Sequence, residues 1–271
     1  MRPGLTAVVL VYNERSTIER CLDALAFCDE RIVIDDGSTD GTYEVVAARS
    51  DVRLYRHRHT TFAAQRELGR SLASHPWLLC MDGDEFVTPQ LASRITDVLI
   101  GNPPLDGYFL RRRNPYPRTL RGEHWSQHPR LTRTARTKWL ATQSHHAPLD
   151  LGGMTLATLT GPNAHLEHEP LDSVPAMLRK AINRSATIAS QERTLGRGSS
   201  APRLMASGLA RFFKMYVGGG AWRHGVDGLI YAGASAFEAW VKYAVLAEHT
   251  PLLSADGGRG SLAPARESPP R

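Results

Sequence analysis

Three short apolar runs in the first third of the chain each give way to carboxylates, and this repetition limits the fold more than any other feature. Thr6 to Val11 is apolar and β-branched and leads to Glu14. Arg31 to Ile34 ends in Asp35-Asp36-Gly37-Ser38, and Trp77-Leu78-Leu79-Cys80-Met81 stops at Asp82-Gly83-Asp84-Glu85. Continuous apolar runs of this length suit strands buried on both faces, as in a parallel sheet. Between them lie segments of helical pattern. Ser16-Thr17-Ile18-Glu19 has the form of a capping box before Ile18, Cys21, Leu22 and Leu25 at helical spacing. A helix through Val45 and Val46, a strand at Val52 to Tyr55 and a helix from Phe62 to Ser74 continue the alternation. Strands alternating with crossover helices predict an α/β unit with its carboxylates at strand C-terminal ends, where open α/β sheets bind ligands.

Beyond about Pro103 the pattern loosens, and His124, His128, His145, His146, His165 and His168 fall in what reads as loops and short strands. From Pro202 to about His249 the chain reads as helical, with Leu204, Leu209, Phe212, Phe213, Leu229, Ile230, Phe237 and Trp240 interleaved with Arg203, Arg211, Lys214, Arg223 and Lys242. Residues 251–271, rich in Gly, Pro, Ser and Arg, read as a disordered tail. The net charge of +6 and pI near 9.5 favour phosphate-bearing partners. No nucleic-acid module is recognisable, so nucleic acid is not expected as a partner. The turn after the first strand, Tyr12-Asn13-Glu14-Arg15, lacks the glycine-rich phosphate loop of a dinucleotide-binding dehydrogenase. Three cysteines outside any C-x-x-C pair read as reduced structural thiols of a cytoplasmic protein. No stretch approaches the roughly 18 apolar residues that a membrane span requires, and the first apolar run lacks the cleavage site of a signal peptide.

Asp82-Gly83-Asp84-Glu85 crowds three carboxylates into one turn, a cost that a hard cation relieves; a solvated acidic loop is the simpler alternative. In Asp35-Asp36-Gly37-Ser38-Thr39-Asp40-Gly41-Thr42 an Asp can accept from a base N–H or from ribose hydroxyls, while Ser38 or Asp40 can cap the following helix.

In order and spacing, V-L-V-Y-N-E (Val9 to Glu14), I-D-D-G-S-T-D-G-T (Ile34 to Thr42) and D-G-D-E (Asp82 to Glu85) resemble the inverting family-two glycosyltransferases of the GT-A fold. Phe62 with Gln65-Arg66, Trp125 with Arg130-Leu131, His168 with Lys180 and Asn183-Arg184, and Asp227-Gly228 with Glu248 extend the likeness to the bacterial lipopolysaccharide inner-core glucosyltransferase branch, over Leu5 to Glu248. The resemblance implies a Rossmann-like α/β fold with a mixed, mostly parallel sheet flanked by helices and a C-terminal helical extension. Residues 1–115 would be the nucleotide-sugar-binding half, 116–200 the acceptor-side half of the same catalytic domain and 201–250 the C-terminal helices.

By the same resemblance Val11, Tyr12 and Glu14 line the base pocket, Asp36 holds the base, and Asp82 meets ribose or metal. Asp84 ligates Mg²⁺ or Mn²⁺, and His168 closes the metal or pyrophosphate site unless it is merely a hydrogen-bonded structural histidine. Arg66 reaches a phosphate or is a helix-surface charge. One departure concerns the general base: related sequences carry His-Glu before Pro-Leu, and here Ala147 stands at the Glu position of Ser144-His145-His146-Ala147-Pro148-Leu149-Asp150. Asp150, His145 and His146 are the substitutes within reach in sequence. The implied partners are a nucleotide-sugar donor, with UDP as leaving group, and a lipid-linked or small-molecule acceptor. The implied location is the cytoplasm, peripheral to the anionic inner face of the plasma membrane. A soluble peptide or natural-product acceptor, or a catalytically silent sugar- or lipid-binding relative, is the competing reading.

Overall fold

The computed structural model describes residues 2–57, 61–140, 148–194, 196 and 198–248. His145, His146 and the 251–271 tail lie outside the described residues. The first half alternates as its apolar runs dictate: β1 (Leu5–Val11), α1 (Ile18–Ala24), β2 (Glu30–Asp35), α2 (Thr42–Ala47), β3 (Arg53–Arg56), α3 (Phe62–Leu72) and β4 (Trp77–Asp82). There follow β5 (Glu85–Val87), α4 (Pro89–Ile100), β6 (Gly107–Pro115), β7 (Glu123–Arg133), β8 (Leu156–Leu159) and β9 (Leu166–His168). The helices α5 (Val174–Thr194), α6 (Ala201–Phe213) and α7 (Gly225–Ala247) complete the described chain, a π turn and a 3₁₀ turn separating the last two.

Among the described residues nine strands share one sheet, in the order β3-β2-β1-β4-β7-β6-β9-β5, with β8 alongside β6. The β3-β2-β1-β4 part is parallel, and β7 then enters antiparallel to β4. Every residue of β1 is buried. Its two faces feed separate cores: Val9 and Val11 pack with Leu22 and Leu91 on the α1/α4 side, and Val8 and Leu10 pack with Ile34 and Leu78 beneath Leu68 and Leu72 of α3. Each such side chain contributes about 1.5–3 kcal/mol relative to exposure.

Three local expectations are corrected. The capping box does not form: the Thr17 hydroxyl donates to the carbonyl and carboxylate of Glu14, not to its own helix. The helix expected to reach Ser74 stops at Leu72, since Ser74 donates from N–H and hydroxyl to Glu30. The region expected as loops and short strands holds a 9-residue and an 11-residue strand paired as a hairpin. Polar residues on both faces concealed that periodicity. The expected division at 115/116 falls at the end of β6, inside this hairpin, so the sheet runs on across it.

The C-terminal helices dock through Tyr231 of α7, which stacks on Tyr116 with ring centroids 4.0 Å apart and lies 3.1 Å from His124 Nδ1. No helix among the described residues is long and apolar enough to cross a membrane.

Gly69 lets α3 close on β1. A Cβ there would sit 2.3 Å from Val8 Cγ1, on a β-branched side chain that cannot swing aside. Alanine improves helix propensity by about 1 kcal/mol, yet forcing extra volume into a packed core costs about 1–3 kcal/mol. Gly69→Ala should therefore lower the urea midpoint; an unchanged or raised midpoint would show that the α3/β1 contact is looser than this.

Candidate active site

The chain ends of β1, β2 and β4 meet at one edge of the sheet. Two loops are laced together there. Asn13 N–H donates to Ser38 Oγ (3.0 Å), Glu14 N–H to Thr42 Oγ1 (2.9 Å) and Arg15 N–H to Asp40 Oδ2 (3.1 Å), while Thr39 N–H donates to Asn13 Oδ1 (2.8 Å). Asp35, fully buried, accepts from the N–H groups of Gly37 and Ser38 and from Arg56. Ser38 and Asp40 thus cross-link the loops, and Asp40 also accepts from Thr42 N–H at the start of α2. Val11 is buried and Tyr12 is 57% exposed. Asp36 is partly exposed, its N–H donating to Val11 O at 3.0 Å.

The carboxylates of Asp82-Gly83-Asp84-Glu85 are separated, not pooled. Glu85 is buried and receives Arg112 and Arg130, each at 2.5 Å. Asp82 takes one guanidinium on each oxygen, Arg66 at 3.0 Å and Arg130 at 2.7 Å. Burial alone would raise the Asp82 pKa, but Arg130 and Arg66 hold it well below the usual carboxylate range. Gly83 allows this turn to press against the first strand, because a Cβ there would lie 2.9 Å from Val11 Cγ1. Arg66 is accordingly no loose surface charge; it is held between Asp82 and the ring of Trp139, 5.0 Å from its centroid. In the sequence Glu85 reads only as part of the acidic cluster, and Arg112 is given no role at all. Their signal, a basic triplet and the last acid of the motif, does not reveal which arginine turns inward.

Asp84 faces a different set. Its Oδ2 lies 3.2 Å from His168 Nε2 and 3.6 Å from Lys180 Nζ. Pairing of β5 with β9 sets His168 opposite Glu85, and α5 supplies the lysine. Burial opposes ionisation of Asp84, and the hydrogen bond and charge of His168 together with Lys180 overcome it, so its pKa is lowered. Among the described residues no group of three or more His, Cys, Asp or Glu side chains is arranged around a common ion position. Asp84 is the carboxylate that could hold a divalent cation together with substrate phosphates, with His168 as a second donor beside it. The Nε atoms of Arg66, Arg112 and Arg130 and the Trp139 indole nitrogen are buried without partners among the described residues, leaving a surplus of donors beside Asp82. Such a surplus suits an anion.

Asp150 is held locally: its carboxylate accepts from Gly152 N–H at 3.0 Å and its N–H donates to Lys138 O at 2.8 Å. The neighbouring Leu149 pairs with Trp139, which places the segment next to the indole that supports Arg66.

A β3-β2-β1-β4 parallel unit joined antiparallel by β7, in a mixed sheet with an acidic turn at that junction, is the arrangement of the GT-A fold, and with the family match that follows the chain is a nucleotide-sugar-dependent glycosyltransferase. The family model for glycosyl transferase family 2 matches residues 6–155, more than half of the chain, and the chain belongs to that family. A relative from Rhizobium meliloti (strain 1021), lipopolysaccharide core biosynthesis glycosyltransferase LpsC, is 25% identical over 248 residues, covering 88% of this chain and 89% of the relative. Succinoglycan biosynthesis protein ExoO of the same organism is 30% identical over 102 residues, 35% of this chain and 29% of ExoO. Among solved structures, S. aureus TarS 1-349 in complex with UDP shares the fold, with a TM-score of 0.50 and 14% identity over 89% of this chain and 90% of that one.

Glu14 offers a test of the electrostatics. Burial first, and Asp84 second, raise its pKa from 4.5 to about 7. A carboxyl whose pKa is raised on folding contributes stability that is fully present below the unfolded value and lost as pH rises through the folded one. With divalent cations chelated, Glu14→Gln should gain stability relative to wild type as pH rises from about 4.5 to about 7. Parallel stability curves for the two proteins over that window would contradict this environment for Glu14.

Proposed function

We propose that the protein transfers a sugar from a nucleoside-diphosphate donor, UDP by resemblance, to a hydroxyl of a lipid-linked saccharide in one inverting displacement. The observation that carries the reading is Asp84 held between His168 and Lys180, beside Asp82 with Arg66 and Arg130. The name of the R. meliloti relative, which spans the same length, supports a lipopolysaccharide-type acceptor.

Val11, Tyr12, Glu14 and Asp36 form the rim that receives the base. Asp82 is oriented by its two arginines to meet the ribose, and Arg66 stands ready for a phosphate oxygen. Asp84 and His168 would hold Mg²⁺ or Mn²⁺, whose charge offsets that developing on the departing diphosphate. Lys180 adds a fixed positive charge to the same place. The acceptor oxygen forms its bond to the anomeric carbon as the bond from that carbon to the diphosphate oxygen breaks, and its proton passes to the general base. His145, His146 and Asp150 are the candidates for that base.

Donor cleavage and transfer separate these roles. Asp84→Asn should lower both by about 10²–10³ in a protein that still folds, and Asp36→Ala should weaken UDP binding. Loss of the base, by replacing His145, His146 or Asp150, should depress transfer while UDP affinity stays. Wild-type turnover by Asp84→Asn would remove the metal assignment, and three silent base variants would place the base elsewhere.

The C-terminal helices carry the membrane side of the proposal. Val241 and Leu246 of α7 are buried, but Met205 (66% exposed), Leu209, Phe213 and Val217 are exposed at four-residue spacing, and Val226 of α7 is exposed as well. With Arg203, Arg223 and Lys214 exposed nearby, the surface suits an anionic leaflet, where each basic residue contributes about 1 kcal/mol. The protein should co-sediment with phosphatidylglycerol vesicles, less so in high salt, and less again after Arg211→Gln with Lys214→Gln. Sedimentation indifferent to lipid charge would favour a soluble peptide or natural-product acceptor.

A further inference from the structure

The β6/β7 ribbon has two chemically distinct faces. Arg112 and its pairing partner Ser126 share the face that reaches Glu85. Strand alternation turns Arg111 and Arg113 the other way, together with Trp125, which pairs with Arg113, and Glu167 of β9, which also pairs with Arg113. On that reverse face lies an open cleft of about 680 Å³, walled by the loop from Gly161 to Ala164.

The lining is an aromatic ring within a balanced set of charges. Trp125 is 42% exposed, with Arg111 4.5 Å from its ring centroid and His165 packed edge-on at 5.1 Å. Arg113 bridges Glu123 at 2.5 Å and Glu167 at 3.4 Å, and His165 Nε2 meets Glu167 at 2.7 Å. Two carboxylates at the lining disfavour a phosphate, and their arginine partners disfavour a free cation. What remains is a neutral ligand with many hydroxyls: guanidinium N–H pairs and carboxylate oxygens match adjacent hydroxyls, and the exposed part of the Trp125 ring offers π surface to the C–H groups of a pyranose ring.

We propose that this cleft is a second, non-catalytic binding site for a neutral oligosaccharide. It lies across the sheet from the Asp84 centre and does not rest on the assignment of donor, acceptor or metal. It would hold a glycan by a part remote from the reacting hydroxyl, or a glycan not undergoing reaction.

The experiment is a glycan array carrying neutral, phosphorylated and uronate-containing oligosaccharides, probed with wild type, Asp84→Asn, Trp125→Ala, Trp125→Phe and Glu167→Gln, each checked by thermal melting. Wild type and Asp84→Asn should retain the same neutral glycans. Trp125→Ala should lose about tenfold in affinity, the scale of one aromatic contact, and Trp125→Phe should recover part of it. Should Trp125→Ala melt early, Glu167→Gln carries the test and should also weaken binding. Retention by neither wild type nor Asp84→Asn, a preference for phosphorylated glycans, loss in Asp84→Asn, or undiminished binding by folded Trp125→Ala or Glu167→Gln would overturn the proposal.

Discussion

Arg130 holds together the part of the molecule on which everything else is arranged. It is 5% exposed and bridges Asp82 to a fully buried Glu85. Taking the Glu85 carboxylate out of water costs several kcal/mol unless a well-placed cation compensates, and the partly buried Asp82 sets a second negative charge beside it. The compensating cation comes from β7, and β7 can bring it there only because it runs antiparallel beside β4. The change of direction in the sheet is thus tied to the acidic turn: the strand that breaks the parallel pattern is the one that neutralises its end.

Around that fixed point the remaining groups arrive from separate elements. Arg66 comes from α3, Arg112 from β6, His168 from β9 and Lys180 from α5. Asp82 and Glu85 are satisfied by guanidinium groups, and Asp84 is the member of the turn that faces His168 and Lys180 instead. His124, at the foot of the same hairpin, has its pKa lowered to about 4, chiefly by burial and then by Arg112, His168 and Arg211. It therefore meets Tyr231 as a neutral ring, so this contact between α7 and the hairpin adds no charge.

The parallel half of this arrangement was legible because its information is local. Leu5 to Val11 and Trp77 to Met81 are apolar on both faces, and only a strand in a covered sheet buries them so. Asp82, Asp84 and Asp36 could be singled out because the end of such a strand is where a ligand meets the backbone. What was not legible is long-range. Nothing in Arg111-Arg112-Arg113 says that the middle residue turns toward Glu85, since that depends on register with β7 after an irregularity between Tyr108 and Phe109. The capping box failed for a similar reason: Thr17 had a stronger claimant in Glu14, whose position is set by the neighbouring loop. The crowding of carboxylates, read as a demand for metal, is met at two of three positions by arginines from distant strands.

The lacing of the Asn13 loop to the Ser38–Thr42 loop has a consequence for selectivity. Four cross-links fix these backbones, so little conformational entropy remains to be lost when a ligand meets them. A rim set in advance spends its contacts on affinity and not on ordering itself. On the proposed reading, in which this rim receives the base, it would also discriminate sternly, because a base of the wrong outline would meet a wall that cannot reshape around it. A change of nucleotide preference in this chain would therefore have to come through the length or sequence of these two loops together, not through single side chains at their tips.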